Sequence, residues 1–277
     1  MFLQPAALDG FALPLIVGLL LAAGVSAADD HRARSVRLRL AVHLLAATVL
    51  AVAFIANSGL DGRYWFEAGL LLIAMGVASM NLHNFMDGSD AHLASQSLFV
   101  FSVLALLAAR HDANAAAVLF AAAAAAVLAF LPFNWPRARV FLGDVGSISL
   151  GFLVAAFSLV AVDRGLIGWG GALILSSGFM VDAAATLFGR MRRTRHWLKP
   201  HRDHLYQWLR RRDWSAARVV AAYQGWNLMI VLPALALLEL RAHPPLAELV
   251  LAVAVYGLGF GVWIAARRAL RRAHRAQ

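Results

Sequence analysis

The chain has 277 residues, 61% of them hydrophobic and 14% charged, with a net charge of +10 and no cysteine. Soluble domains are about 45–50% apolar and about 25% charged, so a soluble, a disordered and a fibrous chain are all excluded. Absent cysteine excludes disulfides, thiolate metal sites and a cysteine nucleophile. Apolar runs follow at roughly 11–28, 38–56, 65–84, 97–109, 114–131, 146–162, 166–188, 219–240 and 246–266. Most approach the ~20 residues needed to cross a hydrocarbon core. They predict an all-α, polytopic transmembrane helix bundle of about nine spans, in one integral membrane domain over 1–277. No Lys or Arg precedes Arg32, so the first run lacks the basic flank of a signal peptide and reads as a true span.

Placing alternate connections on opposite sides sorts the charges. One side, with loops 29–37, 81–95, 132–145 and 189–218, Arg39 just past the first of them and the tail after the ninth run, collects 21 of the 25 Lys and Arg. The other side holds only Arg63, Arg110, Arg164 and Arg241. Basic residues stay cytoplasmic, so the N-terminus is expected outside and the C-terminus inside. The excess positive charge is thereby assigned to orientation and to anionic ligands or membrane lipids, and not to nucleic acid.

The same side gathers the polar motifs. Asp29-Asp30 follows the first run, and it is either a solvated helix end or a pair that suits a hard cation such as Mg²⁺. Asn81, Asn84 and Asp87 share one helix face at the end of the third run, where unpartnered polar groups are costly. The bland alternative there is a helix cap followed by an Asp87-Gly88 turn. Gly143-Asp144-Val145-Gly146-Ser147 reads as a tight turn or as a backbone that approaches phosphate while Asp144 holds a metal. Within the basic 189–218 stretch, His201, Arg202, Asp203 and His204 cluster groups that bind phosphate and transfer protons. Asp182 lies inside the seventh run and needs a partner, for which Arg190 or a metal is expected. Transport pathways favour groups at mid-membrane, so a one-sided cluster suits interfacial chemistry better.

Taken together, Asp29–Arg32, Asn81–Asp90, Arg139–Phe152, Val181–Arg190 and His201–Gln207 resemble, in order, the polyprenyl-phosphate N-acetylhexosamine-1-phosphate transferases of glycosyltransferase family 4. The wording around Gly143 and His201 looks nearest to the branch that initiates O-antigen synthesis. The resemblance implies an Mg²⁺-dependent enzyme (Mn²⁺ being the alternative) of the bacterial inner membrane, with its active site on the cytoplasmic face. It would transfer an N-acetylamino-sugar 1-phosphate from a UDP-sugar to undecaprenyl phosphate, releasing UMP and starting lipopolysaccharide or cell-wall glycan synthesis. It further implies catalytic roles for Asp29, Asp30 and Asp87, and metal binding by Asp144 with Asp29 and Asp30. Substrate contacts would come from Asn81, Asn84, His201, Arg202 and His204. A homodimer is left open. In the family the paired aspartates follow the third span, so the resemblance implies that two N-terminal spans are lacking here. Ala33 and Ala91-His92 depart from the family pattern. The readings from other classes are an inactive membrane paralogue acting as scaffold or regulator, and a small transporter.

Overall fold

The computed structural model describes residues 10–32, 34–195, 202–240 and 244–275, which form helices and no strand. Six unbroken spans come first: α1 (Ala12–His31), α2 (Val36–Asn57), α3 (Trp65–Phe85), α4 (His92–Arg110), α5 (Asn114–Asn134) and α6 (Gly143–Asp163). A bent pair follows, α7 (Trp169–Leu175) and α8 (Ser177–Met191), turned by 76° at Ser176. The short α9 (Leu205–Arg210) leads to α10 (Ala216–Trp226), a π-helical turn at Asn227–Val231, α11 (Leu232–Glu239) and α12 (Pro245–Arg275). Among the described residues eight helices are long and apolar enough to cross a membrane, or nine with the bent pair as one. The expected all-α bundle is therefore present, with the seventh run broken into two arms and α4 starting earlier than its apolar run.

The bent pair still connects the two ends of the bundle. At one end Trp169 packs edge-on against Phe54 near the close of α2, with ring centroids 5.5 Å apart. At the other end the segment after α8 reaches α3, where the Tyr206 hydroxyl donates to the Phe85 carbonyl at 3.0 Å.

Local chemistry sets the helix ends. Ser35 caps α2 by accepting from the Leu38 N–H, which satisfies one of the four orphan donors of a helix start. The α4 start depends on Ala91 in the left-handed region, with φ 60°, and its N–H donates to Asn134 Oδ1 at 2.8 Å. The bundle closes around α6, which packs against α1, α3 and α4. Small residues permit that closeness. A Cβ on Gly151 would lie 2.8 Å from both Met80 Cα and Ser79 O, and one on Gly18 would strike the Phe152 ring. Ser79 Oγ donates to the Gly151 carbonyl at 2.7 Å, so α3 and α6 run backbone to backbone toward the end that carries Asn84 and Asp144.

Candidate active site

Four helix ends meet at one end of the bundle: the C-termini of α1 and α3 and the N-termini of α2 and α6. Asp144 sits in the first turn of α6, where a carboxylate is favoured by the exposed N–H groups and the helix dipole. Asn84, in the last turn of α3, donates through Nδ2 to Asp144 Oδ1 at 3.0 Å and to Ser147 Oγ at 2.9 Å. Arg39, one turn into α2, bridges two carboxylates: its Nη1 lies 2.8 Å from Asp29 Oδ2 and 3.2 Å from Asp144 Oδ2. The other Asp29 oxygen accepts the Arg34 N–H. Asp30 Oδ2 lies against Gly143, 3.4 Å from where a Cβ would stand. Gly143 has φ +62°, a conformation that glycine adopts without cost and that other residues resist.

Of these residues Asn84, Gly143 and Asp144 line a pocket of about 420 Å³, together with Asp87 to Asp90, Asn134, Phe141 and Leu142. Asp87 is held protonated more readily than an ordinary carboxylic acid. Burial, and secondarily the Asp144 carboxylate, push its pKa up to about 7. The pocket rim is tied down by Asp90, whose Oδ2 accepts the Ala138 N–H at 3.2 Å. Asn134 joins the same rim through its Nδ2, which donates to the Val140 carbonyl at 2.9 Å.

Asn84, Asp87 and Asp144 thus share one pocket, with Asp29 and Asp30 directly behind it. Asn81 faces elsewhere: its Nδ2 donates to the Val77 carbonyl at 2.8 Å and stands 3.5 Å from His43 Nδ1. His201 lies outside the described residues. Arg202 is exposed. His204 is 2% exposed, its ring between Phe85 and Tyr206 at centroid distances of 6.1 and 6.0 Å. A ring so enclosed holds the α9 start and does not face a soluble diphosphate, contrary to the sequence expectation.

The partner expected for Asp182 is also corrected. Arg190 pairs instead with Asp203 at 2.6 Å. Asp182, 2% exposed, accepts from the Leu205 and Tyr206 N–H groups, the Tyr223 hydroxyl, the Trp263 indole N–H and Thr186 Oγ1 at 2.7–3.3 Å. Neutral donors from α8, α9, α10 and α12 satisfy a buried carboxylate without a cation. Through Tyr206 this hub fastens α9 to the end of α3, next to Gly88, where a Cβ would overlap the Tyr206 hydroxyl.

Sequence reasoning missed Arg39, which it counted only as an orientation charge, along with Asn134. One of four nearby arginines bridges the carboxylates because the register of α2 turns it inward, and composition carries no sign of that.

Among the described residues no three His, Cys, Asp or Glu side chains are grouped to cage a metal ion. The donor set nevertheless fits Mg²⁺, which takes one or two carboxylates and completes its shell with water and substrate phosphates. Asp144 and Asp87 face one pocket, and their mutual repulsion is the imbalance a divalent cation neutralises.

The fold and the site define an all-α membrane bundle that assembles carboxylates, an amide and a guanidinium at one end, beside a polar pocket. Residues 12–162, from α1 to the end of α6, match the family described as glycosyl transferase family 4, and the chain belongs to that family. It is 32% identical over 165 residues to phospho-N-acetylmuramoyl-pentapeptide-transferase of Geobacillus kaustophilus, a match covering 59% of this chain and 49% of that protein. It is also 30% identical over 259 residues to decaprenyl-phosphate N-acetylglucosaminephosphotransferase of Mycolicibacterium smegmatis, covering 80% of this chain and 63% of that protein. The chain spans about half the length of the pentapeptide transferases it matches.

Proposed function

We propose that the protein transfers an N-acetylamino-sugar 1-phosphate from a UDP-sugar to a polyprenyl phosphate, undecaprenyl phosphate in a bacterial inner membrane, at the cytoplasmic face. The observation that carries this reading is the Asn84–Asp144–Arg39–Asp29 chain, which starts from two pocket-lining residues, together with the named activities of the relatives. An oxygen of the lipid phosphate forms a bond to the β-phosphorus of the nucleotide sugar. The bond from that phosphorus to the oxygen bridging to the α-phosphate breaks, and UMP leaves with the electron pair. Both reactants are anions, so the site has to neutralise phosphate charge before they approach.

Asp144 and Asp87 would hold Mg²⁺ or Mn²⁺, which supplies that neutralisation when bound. Asn84 fixes the orientation of Asp144 through its amide. Arg39 sets a guanidinium beside the pocket with Asp29 as its counter-ion, so Asp29 acts through Arg39, since both its oxygens are engaged. Asp30 backs the Gly143 turn. Arg202, exposed on the 202–204 segment, is free to reach the nucleotide diphosphate. The glycan begun in this way belongs to O-antigen or a related surface polymer.

The test is transfer of label from a UDP-N-acetylamino sugar to lipid in membranes carrying the full chain, with UMP release measured in parallel. Label in lipid that depends on Mg²⁺ and on Asp144 supports the reading. Intact UDP-sugar in the presence of polyprenyl phosphate and Mg²⁺ would sink it in favour of a non-catalytic role.

A further inference from the structure

The turn that leaves α3 sets Asn84 and Asp87 on either side of Phe85 and Met86, then passes through Gly88 to Asp90. Its own backbone holds Asp87 by an N–H bond to the Asn84 carbonyl at 3.2 Å. Carbonyls in the last turn of a helix have no partner further along it. Here the Phe85 carbonyl, between the two pocket side chains, accepts from the Tyr206 hydroxyl at 3.0 Å. Gly88 lies against the same hydroxyl, where a Cβ would overlap the oxygen. Tyr206 thus grips the backbone next to Asn84 and next to Asp87, and it does so from α9, outside the 12–162 stretch that matches the family.

The tyrosine is itself anchored at both ends. Gln207 Nε2 donates to its hydroxyl at 3.1 Å, and Gln207 Oε1 accepts the His204 N–H at 3.2 Å. Its own N–H donates to Asp182 Oδ2 at 3.2 Å. The side chain between these anchors is fully buried, with the His92 ring 5.0 Å away and the His204 ring 6.0 Å away. A close-packed ring has little freedom to turn, so Tyr206 is a strut of fixed length from the Asp182 hub to the α3 turn. Burial, and after it the Asp182 charge, push the hydroxyl pKa above its usual value of 10. The hydroxyl therefore keeps its proton and remains a donor.

We propose, on the transferase reading given above, that Tyr206 is a positioning residue of the pocket: its hydroxyl fixes the α3 turn so that Asn84 and Asp87 meet Asp144 in an arrangement that takes a divalent cation. Tyr206 is not among the residues that line the pocket, so it acts through the backbone of Phe85 and Gly88 and not on the reactants. Mg²⁺ demands near-ideal octahedral geometry, so a carboxylate released to wander loses the ion before the helix loses its shape. A purely structural tie would be felt in stability alone. A positioning tie also moves the cation dependence at temperatures where the chain is fully folded.

The experiment uses the purified full chain in detergent, well below every thermal midpoint. Mn²⁺ binding is read by electron paramagnetic resonance, and UMP release is titrated with Mg²⁺. Tyr206→Phe removes one oxygen. It is expected to weaken Mn²⁺ binding and to raise the half-maximal Mg²⁺ concentration about five- to tenfold, the loss of about one hydrogen bond. Tyr256→Phe is the matched control, since that hydroxyl also donates to a helix carbonyl, Leu173 at 3.1 Å, between α12 and α7. It should lower the thermal midpoint and leave both cation readings unchanged. Gly88→Ala drives a methyl group into the Tyr206 hydroxyl and should shift both readings as far, which keeps the test open where Tyr206→Phe fails to fold. Without the hydroxyl the nearest ring atoms to that methyl are Cζ and Cε2, at 3.1 and 3.3 Å, so Gly88→Ala should add little to Tyr206→Phe. Unchanged cation readings in either single variant would overturn the proposal, as would full additivity of the two. Wild-type chain that binds no Mn²⁺ would overturn it too. Wild-type chain that binds Mn²⁺ and transfers nothing would sink the transferase reading alone, with the Mn²⁺ shift in Tyr206→Phe still deciding the role of Tyr206.

Discussion

Arg39 shows how a single side chain changes meaning with its surroundings. Its pairs with Asp29 and Asp144 are about one-third exposed on the arginine side, so they contribute little to stability, about 0–1 kcal/mol. Their value lies in placing a fixed charge at the pocket. Arg39→Gln is therefore expected to leave the thermal midpoint nearly unchanged while lowering UMP release about tenfold or more, as loss of a charge-assisted contact would. Arg63→Gln is the matched control, since the Arg63–Asp61 pair is exposed and lies beyond the other end of α3; it should alter neither quantity. Asp144→Asn keeps the shape and removes the charge at the centre of the network. Transfer should fall by about 10²–10³ or more, with the chain still inserted and folded. Near-normal transfer in saturating Mg²⁺ would remove Asp144 from the metal site.

Contacts between helices determine whether those residues meet. Gly151→Ala puts a methyl group 2.8 Å from the α3 backbone, and backbone yields less than side chains do. An overpacking cost of about 1–3 kcal/mol is expected, and separation of α3 from α6 should also draw Asn84 away from Asp144. Thermal unfolding reads the first effect, and UMP release the second. The α9 start carries a pH dependence. Burial lowers the His204 pKa below its usual value of 6.5, with Asp182 and Asp203 opposing the shift. The neutral ring is the form the fold accepts, so its stabilising effect is complete above about pH 6.5 and is lost as pH falls through the lower folded value. His204→Asn should flatten the decline in thermal midpoint below pH 6.5; an unchanged pH profile would remove His204 as its origin.

How much of this was legible in the sequence follows from the range of the forces. The apolar runs and the three-residue step from Asn81 to Asp87 are local, and the helices and the Asn84–Asp87 placement follow from them. Charge sidedness puts Asp87 and Asp144 on one face, because one-sidedness brings distant loops together, and their joint role in one site comes from the family resemblance. Three features lay beyond reach. Asp182 is satisfied by donors from four helices, His204 is enclosed by aromatic rings, and Arg39 is selected by helix register. Each depends on tertiary packing that no spacing rule encodes.

At the scale of the whole molecule, orientation can be measured. Reporter fusions after Asn57 and Asp163 are expected to read as periplasmic, and fusions after Arg139 and Arg212 as cytoplasmic. A cytoplasmic reading at Asn57 would separate Asp29 from the face assigned to Asp144. The bent pair α7–α8 has a consequence for the lipid around the protein. At 1.5 Å per residue its arms of 7 and 15 residues measure about 10 and 22 Å. Joined at 76°, they advance about 27 Å from end to end, short of the ~30 Å thickness of a hydrocarbon core. Where so short a span faces lipid, local thinning of the bilayer is the expected match. Transfer is then expected to be fastest in thin bilayers and to decline as acyl chains lengthen, which label transfer in vesicles of graded thickness reads.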